Sequence, residues 1–66
     1  MKLYETYDIR EKKKYWWTQR DKNNNCFEIR QTDFPKKFCL LKNEIEIEYF
    51  NNFNEAEARI KELYVS

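Results

Sequence analysis

A strict alternation of glutamate and apolar residues runs through Glu44-Ile45-Glu46-Ile47-Glu48-Tyr49-Phe50, and a chain carrying it has few options for that stretch. A period of two is the signature of a strand with one buried face. Its parity sends Ile45, Ile47 and Tyr49 inward. Glu44, Glu46 and Glu48 are left as an outward acidic row with a repeat of ~6.6 Å, set by the strand rise. Leu3 to Ile9 shows the same period, with Leu3, Tyr7 and Ile9 on one side. Tyr15 to Gln19, rich in aromatic and β-branched residues, reads as a second strand. Cys26 to Thr32 reads as a third, with Phe27 and Ile29 on one face and Glu28 and Arg30 on the other.

Charged or polar turns separate these runs at Glu11 to Lys14, Asp21 to Asn25 and Asp33 to Lys36. Asparagine suits such turns because it tolerates the left-handed backbone. Phe38 to Leu41 is favoured as a fourth strand. Phe34, Phe38, Leu41 and Ile45 also fit a helical spacing behind an Asp33 cap, so a helix is the alternative there. The inward parity is even at Phe38 and Leu40 but odd at Ile45 and Ile47, which requires a turn or bulge near Lys42-Asn43.

The C-terminal stretch changes period. Asn54 followed by Glu57 resembles a capping box, with Phe53 placed to staple the entry turn. Ala56, Ile60, Leu63 and Tyr64 then recur at helical spacing on one side. The expected fold is α+β: a small antiparallel sheet of four or five short strands with one C-terminal helix packed on one face, forming a single domain over residues 1–66. A chain of this size buries only about 60% of its unfolded surface. Five Phe, five Tyr and two Trp supply the bulk that a small core needs.

The residue inventory narrows the function. There is no histidine and no glycine, and the only serine is Ser66. General acid–base work near neutral pH leans on histidine, phosphate-cradling loops need glycine, and zinc sites draw on histidine or several cysteines. A non-catalytic binding protein without a metal or cofactor is therefore expected. Charge is nearly balanced, at 13 Lys+Arg against 12 Asp+Glu, so no global field points to nucleic acid. With neither a charged-then-apolar leader nor a run of eighteen apolar residues, the expected location is the cytosol, away from any membrane. Cys26 and Cys39 do not read as a secreted disulfide framework. A hairpin around Asp33 to Lys37 would set Cys39 near Arg30 or Gln31, too far from Cys26 to bridge.

Trp16-Trp17 is the sharpest local feature, because adjacent strand residues point to opposite faces and one helix covers only one of them. Tyr15, Trp17 and Gln19 share the more apolar parity, which assigns Trp17 to the core. Tyr4, Trp16, Thr18, Arg20 and Arg30 then form an open, partner-binding face; Tyr, Trp and Arg are the types enriched at interface hot spots. A homodimer through that face is a further expectation. Lys12, Lys13 and Lys14 beside Tyr15 and Trp16 combine cations with stacking surfaces, a pattern that fits a nucleic-acid contact. The acidic row could face a basic partner.

The Trp pair, the polar Asp21-to-Asn25 turn and the helix entry at Phe53-Asn54-Glu55-Ala56-Glu57-Ala58 are similar in outline to the arm-type DNA-binding domains of phage-type integrases, which also set a small sheet against a C-terminal helix. That turn lacks the glycine usual in the family, and the Glu44-to-Glu48 strand is acidic where a DNA-facing sheet is positive. The chain is accordingly not assigned to the family. Its Lys- and Asn-rich composition resembles small proteins of phages and mobile elements. This resemblance implies an inhibitor of a host defence system, anti-CRISPR-like, that acts on a protein target in the host cytoplasm; a small nucleic-acid-binding module is the alternative.

Overall fold

The computed structural model describes residues 1–66. Five strands, β1 (Tyr4–Asp8), β2 (Lys13–Trp17), β3 (Phe27–Gln31), β4 (Phe38–Lys42) and β5 (Ile45–Phe50), precede one helix, α1 (Phe53–Leu63). All pairs are antiparallel, and the strands lie in chain order from β1 to β5. The fold is the expected α+β arrangement, and the Phe38 segment is a strand rather than a helix. With no glycine to call on, the left-handed positions fall to Lys12, Asn24, Asn43 and Glu44, at φ of 56°, 66°, 51° and 70°. Asn43-Glu44 forms the whole link between β4 and β5, the two-residue connection with positive φ at both positions that matches strand twist. The Asn43 side chain fixes it in place: Oδ1 accepts from the Cys26 N–H at 2.9 Å and Nδ2 donates to Asn25 Oδ1 at 2.8 Å.

Two irregularities decide which residues face the helix. Between β2 and β3, Thr18 N–H bonds to Phe27 O at 3.0 Å and Asp21 N–H bonds to Asn25 O at 2.8 Å. Gln19 and Arg20 lie between these pairs on one side, but only Cys26 on the other. That extra residue shifts the register so that Trp16 stands beside Ile29 and Trp17 beside Glu28. Since a one-residue slip exchanges the faces of a strand, Trp16 joins the core side and Trp17 the open side, the reverse of the sequence expectation. The second irregularity lies inside β5. Leu40 faces Glu48 while Leu41 faces Glu46, leaving Ile47 as the extra residue of a bulge. The parity change expected at Lys42-Asn43 is absorbed here. Ile47, as the bulged residue, is 41% exposed instead of buried, and Ile45, which keeps the helix-side parity opposite Lys42, is 67% exposed because it stands at the end of an edge strand.

Helix α1 starts two residues earlier than the Asn54–Glu57 pattern suggests. Asn52 is the N-cap: its Oδ1 accepts from Glu55 N–H at 2.9 Å and its Nδ2 donates to Glu55 Oε1 at 3.0 Å. Phe53 becomes the first helical residue. Its ring packs 4.5 Å from Trp16 and 6.1 Å from Phe38, centroid to centroid. Ala56 and Ile60 press on Phe27, Ile29 and Leu40 to make the core, with Leu3, Phe50, Leu63 and Tyr64 around it. Ile29, Leu40 and Ile60 are wholly buried, and each contributes about 1.5–3 kcal/mol through burial.

The chain end locks the helix to the β2–β3 loop. Val65 N–H donates to Asp21 Oδ2 at 3.1 Å, Lys22 N–H donates to Val65 O at 3.0 Å, and Tyr64 O–H donates to Arg20 O at 3.3 Å. Asp21 Oδ1 also accepts from the N–H groups of Asn23 and Asn25, both at 2.9 Å. Bonds from Asn25, Val65 and Asn23, in that order of effect, hold the Asp21 carboxyl below the usual aspartate range against the opposing pull of burial.

Candidate functional site: the open face of the sheet

The helix packs on β3, β4 and β5, and through Phe53 on Trp16 of β2, from one side only, so the other side of the sheet has no covering element. Alternation and register bring Tyr4 and Thr6 of β1, Tyr15 and Trp17 of β2, Glu28 and Arg30 of β3, Cys39 and Leu41 of β4, and Glu46 and Tyr49 of β5 onto this face. Tyr4 and Trp17 are cross-strand partners and their rings stack at 4.6 Å with 21° between planes. Trp17 Nε1–H donates to Thr6 Oγ1 at 3.1 Å, and Lys2 Nζ sits 4.8 Å from the centre of the Tyr4 ring. The stack is thereby held from both sides. Trp17 remains 38% exposed.

Farther across the sheet the cover becomes ionic. Arg30 donates to the Glu28 carboxylate, and Tyr49 O–H donates to Glu46. Between these pairs lie Cys39, beside Arg30 and Tyr49, and Leu41, beside Glu28 and Glu46. Both are buried without any contribution from the helix side. Burial, reinforced by the nearby Glu46 carboxylate, pushes the Cys39 thiol up to about 11, so it stays protonated and unreactive near neutral pH. Glu28 holds Arg30 more firmly in its charged form, and Glu46 raises the Tyr49 phenol. Both cysteines are free, and Cys39 stands opposite Arg30, as the hairpin register predicts.

Two shallow depressions flank a ridge made by Tyr15 and Glu28. One, of about 350 Å³, is lined by Thr6, Trp17 and Glu44. The other, of about 570 Å³, is lined by Asp8, Lys13, Arg30 and Gln31. The face thus offers one stacked aromatic pair, one pocket beside it, a second across the ridge and a set of internally paired charges. These groups can bind by stacking and hydrogen bonding.

Of the residues expected on this face, Tyr4 and Arg30 are there. Trp16 is on the opposite side, packed against Phe53 and bonded through Nε1–H to Glu5 Oε1 at 3.0 Å. Thr18 is buried, its Oγ1 accepting from Phe27 N–H at 3.1 Å. Arg20 lies in the β2–β3 loop, donating to Asn24 O at 2.8 Å. Trp17, Tyr15 and Thr6 take the places of Trp16 and Thr18. The signal for them was the extra residue in the β2–β3 loop once Phe27 and Ile29 were taken as core.

The lysine cluster does not form one surface. Lys12 is an exposed turn residue, Lys13 pairs with Asp33 at 3.1 Å, and Lys14 points to the other face toward Glu5 at 3.7 Å. Nor do the glutamates form a row. Glu44 sits in the tight turn, Glu46 belongs to the open face, and Glu48 pairs with Arg59 at 2.6 Å on the helix side. The β5 bulge splits them. No helix of the chain is long and apolar enough to cross a membrane. No protein-family model, curated protein or solved structure matches the chain.

Proposed function

We propose that this is a non-catalytic binding protein that engages a protein partner through the open face, with the Tyr4–Trp17 stack as its anchor. The single observation behind this reading is that an exposed tryptophan, stacked and hydrogen-bonded in place, sits toward the β1 edge of a sheet face that no element of the chain covers. A side chain already immobilised loses little entropy on binding, and aromatic residues next to small pockets are the usual anchors of interfaces. The Glu28–Arg30 and Glu46–Tyr49 pairs, farther across the same face, supply polar contacts on one side of that anchor.

The nucleic-acid alternative draws less support, because a phosphate-binding surface needs unpaired cations on one side. Here Glu28 neutralises Arg30, Asp33 meets Lys13, and Lys14 faces away. The partner class proposed is a host defence protein that the chain inhibits, in the manner of an anti-CRISPR. Composition supports that choice, and the face supports only the mode of binding.

Affinity capture from the host with wild-type protein and with Trp17→Ala, each with and without nuclease, tests this. A nuclease-resistant protein captured by wild type and lost with a folded Trp17→Ala is the expected result. Capture that disappears on nuclease treatment, or survives Trp17→Ala unchanged, overturns the reading.

A further inference from the structure

Strand β1 borders the sheet, and its outward backbone groups can be assigned from its neighbour. Lys14 N–H is directed at Gln31 Oε1 at 2.7 Å and Thr18 N–H at Phe27 O at 3.0 Å, both on the β3 side. Alternation along β2 then aims the backbone of Lys13, Tyr15 and Trp17 at β1, where their partners are Asp8, Thr6 and Tyr4. Glu5 and Tyr7 are left with N–H and C=O groups facing away from the sheet. The two edges are unequally protected. β5 carries a bulge at Ile47 and glutamates on both sides of it, devices that discourage edge pairing. β1 reads Tyr-Glu-Thr-Tyr-Asp, without proline, lysine or bulge. Helix α1 lies over β3 to β5 and reaches no farther than β2, through Phe53 on Trp16, so it does not shield β1, and Tyr7 and the adjoining Ile9 are 54% and 81% exposed.

We infer that β1 pairs with β1 of a second copy of this chain, antiparallel about a two-fold axis at Thr6. In that register Glu5 faces Tyr7 of the partner subunit and exchanges both backbone hydrogen bonds with it, once on each side of the axis. Leu3 meets Ile9 of the partner subunit on the same face, and Tyr4 meets Asp8 of the partner subunit on the other. No two like charges stand opposite each other along the strand. Pairing β5 with itself about Ile47 sets Glu46 against Glu48 and has to cross the bulge, which is unfavourable. The occupant is thus a second copy at β1, and the product is a continuous sheet twice as wide. Its two open faces lie on the same side, with both Tyr4–Trp17 stacks near the axis. A five-residue edge is small beside a standard interface of about 1,600 Å², so association is weak and concentration-dependent.

Sedimentation velocity and light scattering from micromolar to millimolar protein test the pairing, with far-UV circular dichroism as the check on folding. The mass is expected to rise from 8.4 kDa toward twice that value. Tyr7→Pro removes an outward donor without touching the ladder to β2 and should weaken self-association by about tenfold or more. Tyr7→Glu, which sets a carboxylate against Glu5 of the partner subunit, should weaken it too. Tyr7→Lys, which sets a cation there, should preserve it; this charge pair carries the test if the proline variant does not fold. A constant monomer mass across the range overturns the inference. So does a dimer that is indifferent to Tyr7→Glu, or one that is broken by Trp17→Ala instead.

Discussion

The two faces of this sheet exclude water by different means. On the helix side, Ile29 and Leu40 are covered by Ala56 and Ile60, with Trp16, Phe38 and Phe53 closing the margin. The cover there is another element, apolar and directional. On the open side, Cys39 and Leu41 are as well buried, yet their cover is lateral: Arg30, Glu28, Glu46 and Tyr49 on the neighbouring strands, tied to one another in pairs. Burial in a small sheet therefore does not require a second layer. A face sealed by its own polar side chains stays free for a partner, because docking on it does not disrupt the core. The stacked Tyr4 and Trp17 occupy the part of the face that this polar cover does not reach.

The contrast breaks first at the covered core. Leu40→Ala should cost about 2–5 kcal/mol, a large share of the stability of a domain this small, and chemical denaturation measures it. The tryptophan pair sharpens the comparison. Trp16→Ala removes packing against Phe53 and Phe38 and should cost about 3 kcal/mol, whereas Trp17→Ala loses a surface stack and should cost about 1 kcal/mol. Equal losses in denaturation of the two variants would contradict the assignment of faces. Removing the helix cap by Asn52→Ala should cost about 1 kcal/mol and loosen only the covered side, an effect readable by hydrogen exchange along α1.

The remaining two expectations concern protons and thiols. Asp21 has a lowered folded-state pKa, so its contribution is present above the unfolded value of about 3.9 and is lost as pH falls through the lower folded value. The melting temperature should accordingly drop below about pH 4 as the loop and the chain end release each other, and Asp21→Asn should flatten that part of the curve. Last, Cys39 should resist a thiol reagent at mildly alkaline pH until the protein unfolds, while the half-buried Cys26 reacts in the native state. Prompt labelling of Cys39 would show that the polar cover of the open face is porous.

Much of the fold could be read from residue patterns that act locally. Alternation marks β1, β3 and β5 whatever the rest of the chain does, the aromatic run marks β2, and the spacing of Ala56, Ile60 and Leu63 marks the helix. The hairpin register that places Cys39 opposite Arg30 follows from the turn between them. Tyr4 and Arg30 are on the open face, as the residue types suggest. Even the helix cap was wrong only in position, because Asn52–Glu55 and Asn54–Glu57 share one pattern and only the path of the incoming strand distinguishes them.

Face identity was a different matter. The sequence by itself determined that one tryptophan would be covered and the other left open, since neighbours on a strand cannot share a face. Only the tertiary structure decided which, through the additional residue between Thr18 and Asp21 that brings Trp16 beside Ile29. The bulge at Ile47 did the same to Glu46 and Glu48, and the tight turn took up Glu44, scattering a row that looks continuous in the primary structure. The physical reason is common to both: a period of two has no memory of which side is inside, and a single unpaired residue reverses it. Where that residue goes depends on bonds made far along the chain, such as those that Val65 N–H donates to Asp21 and Cys26 N–H donates to Asn43.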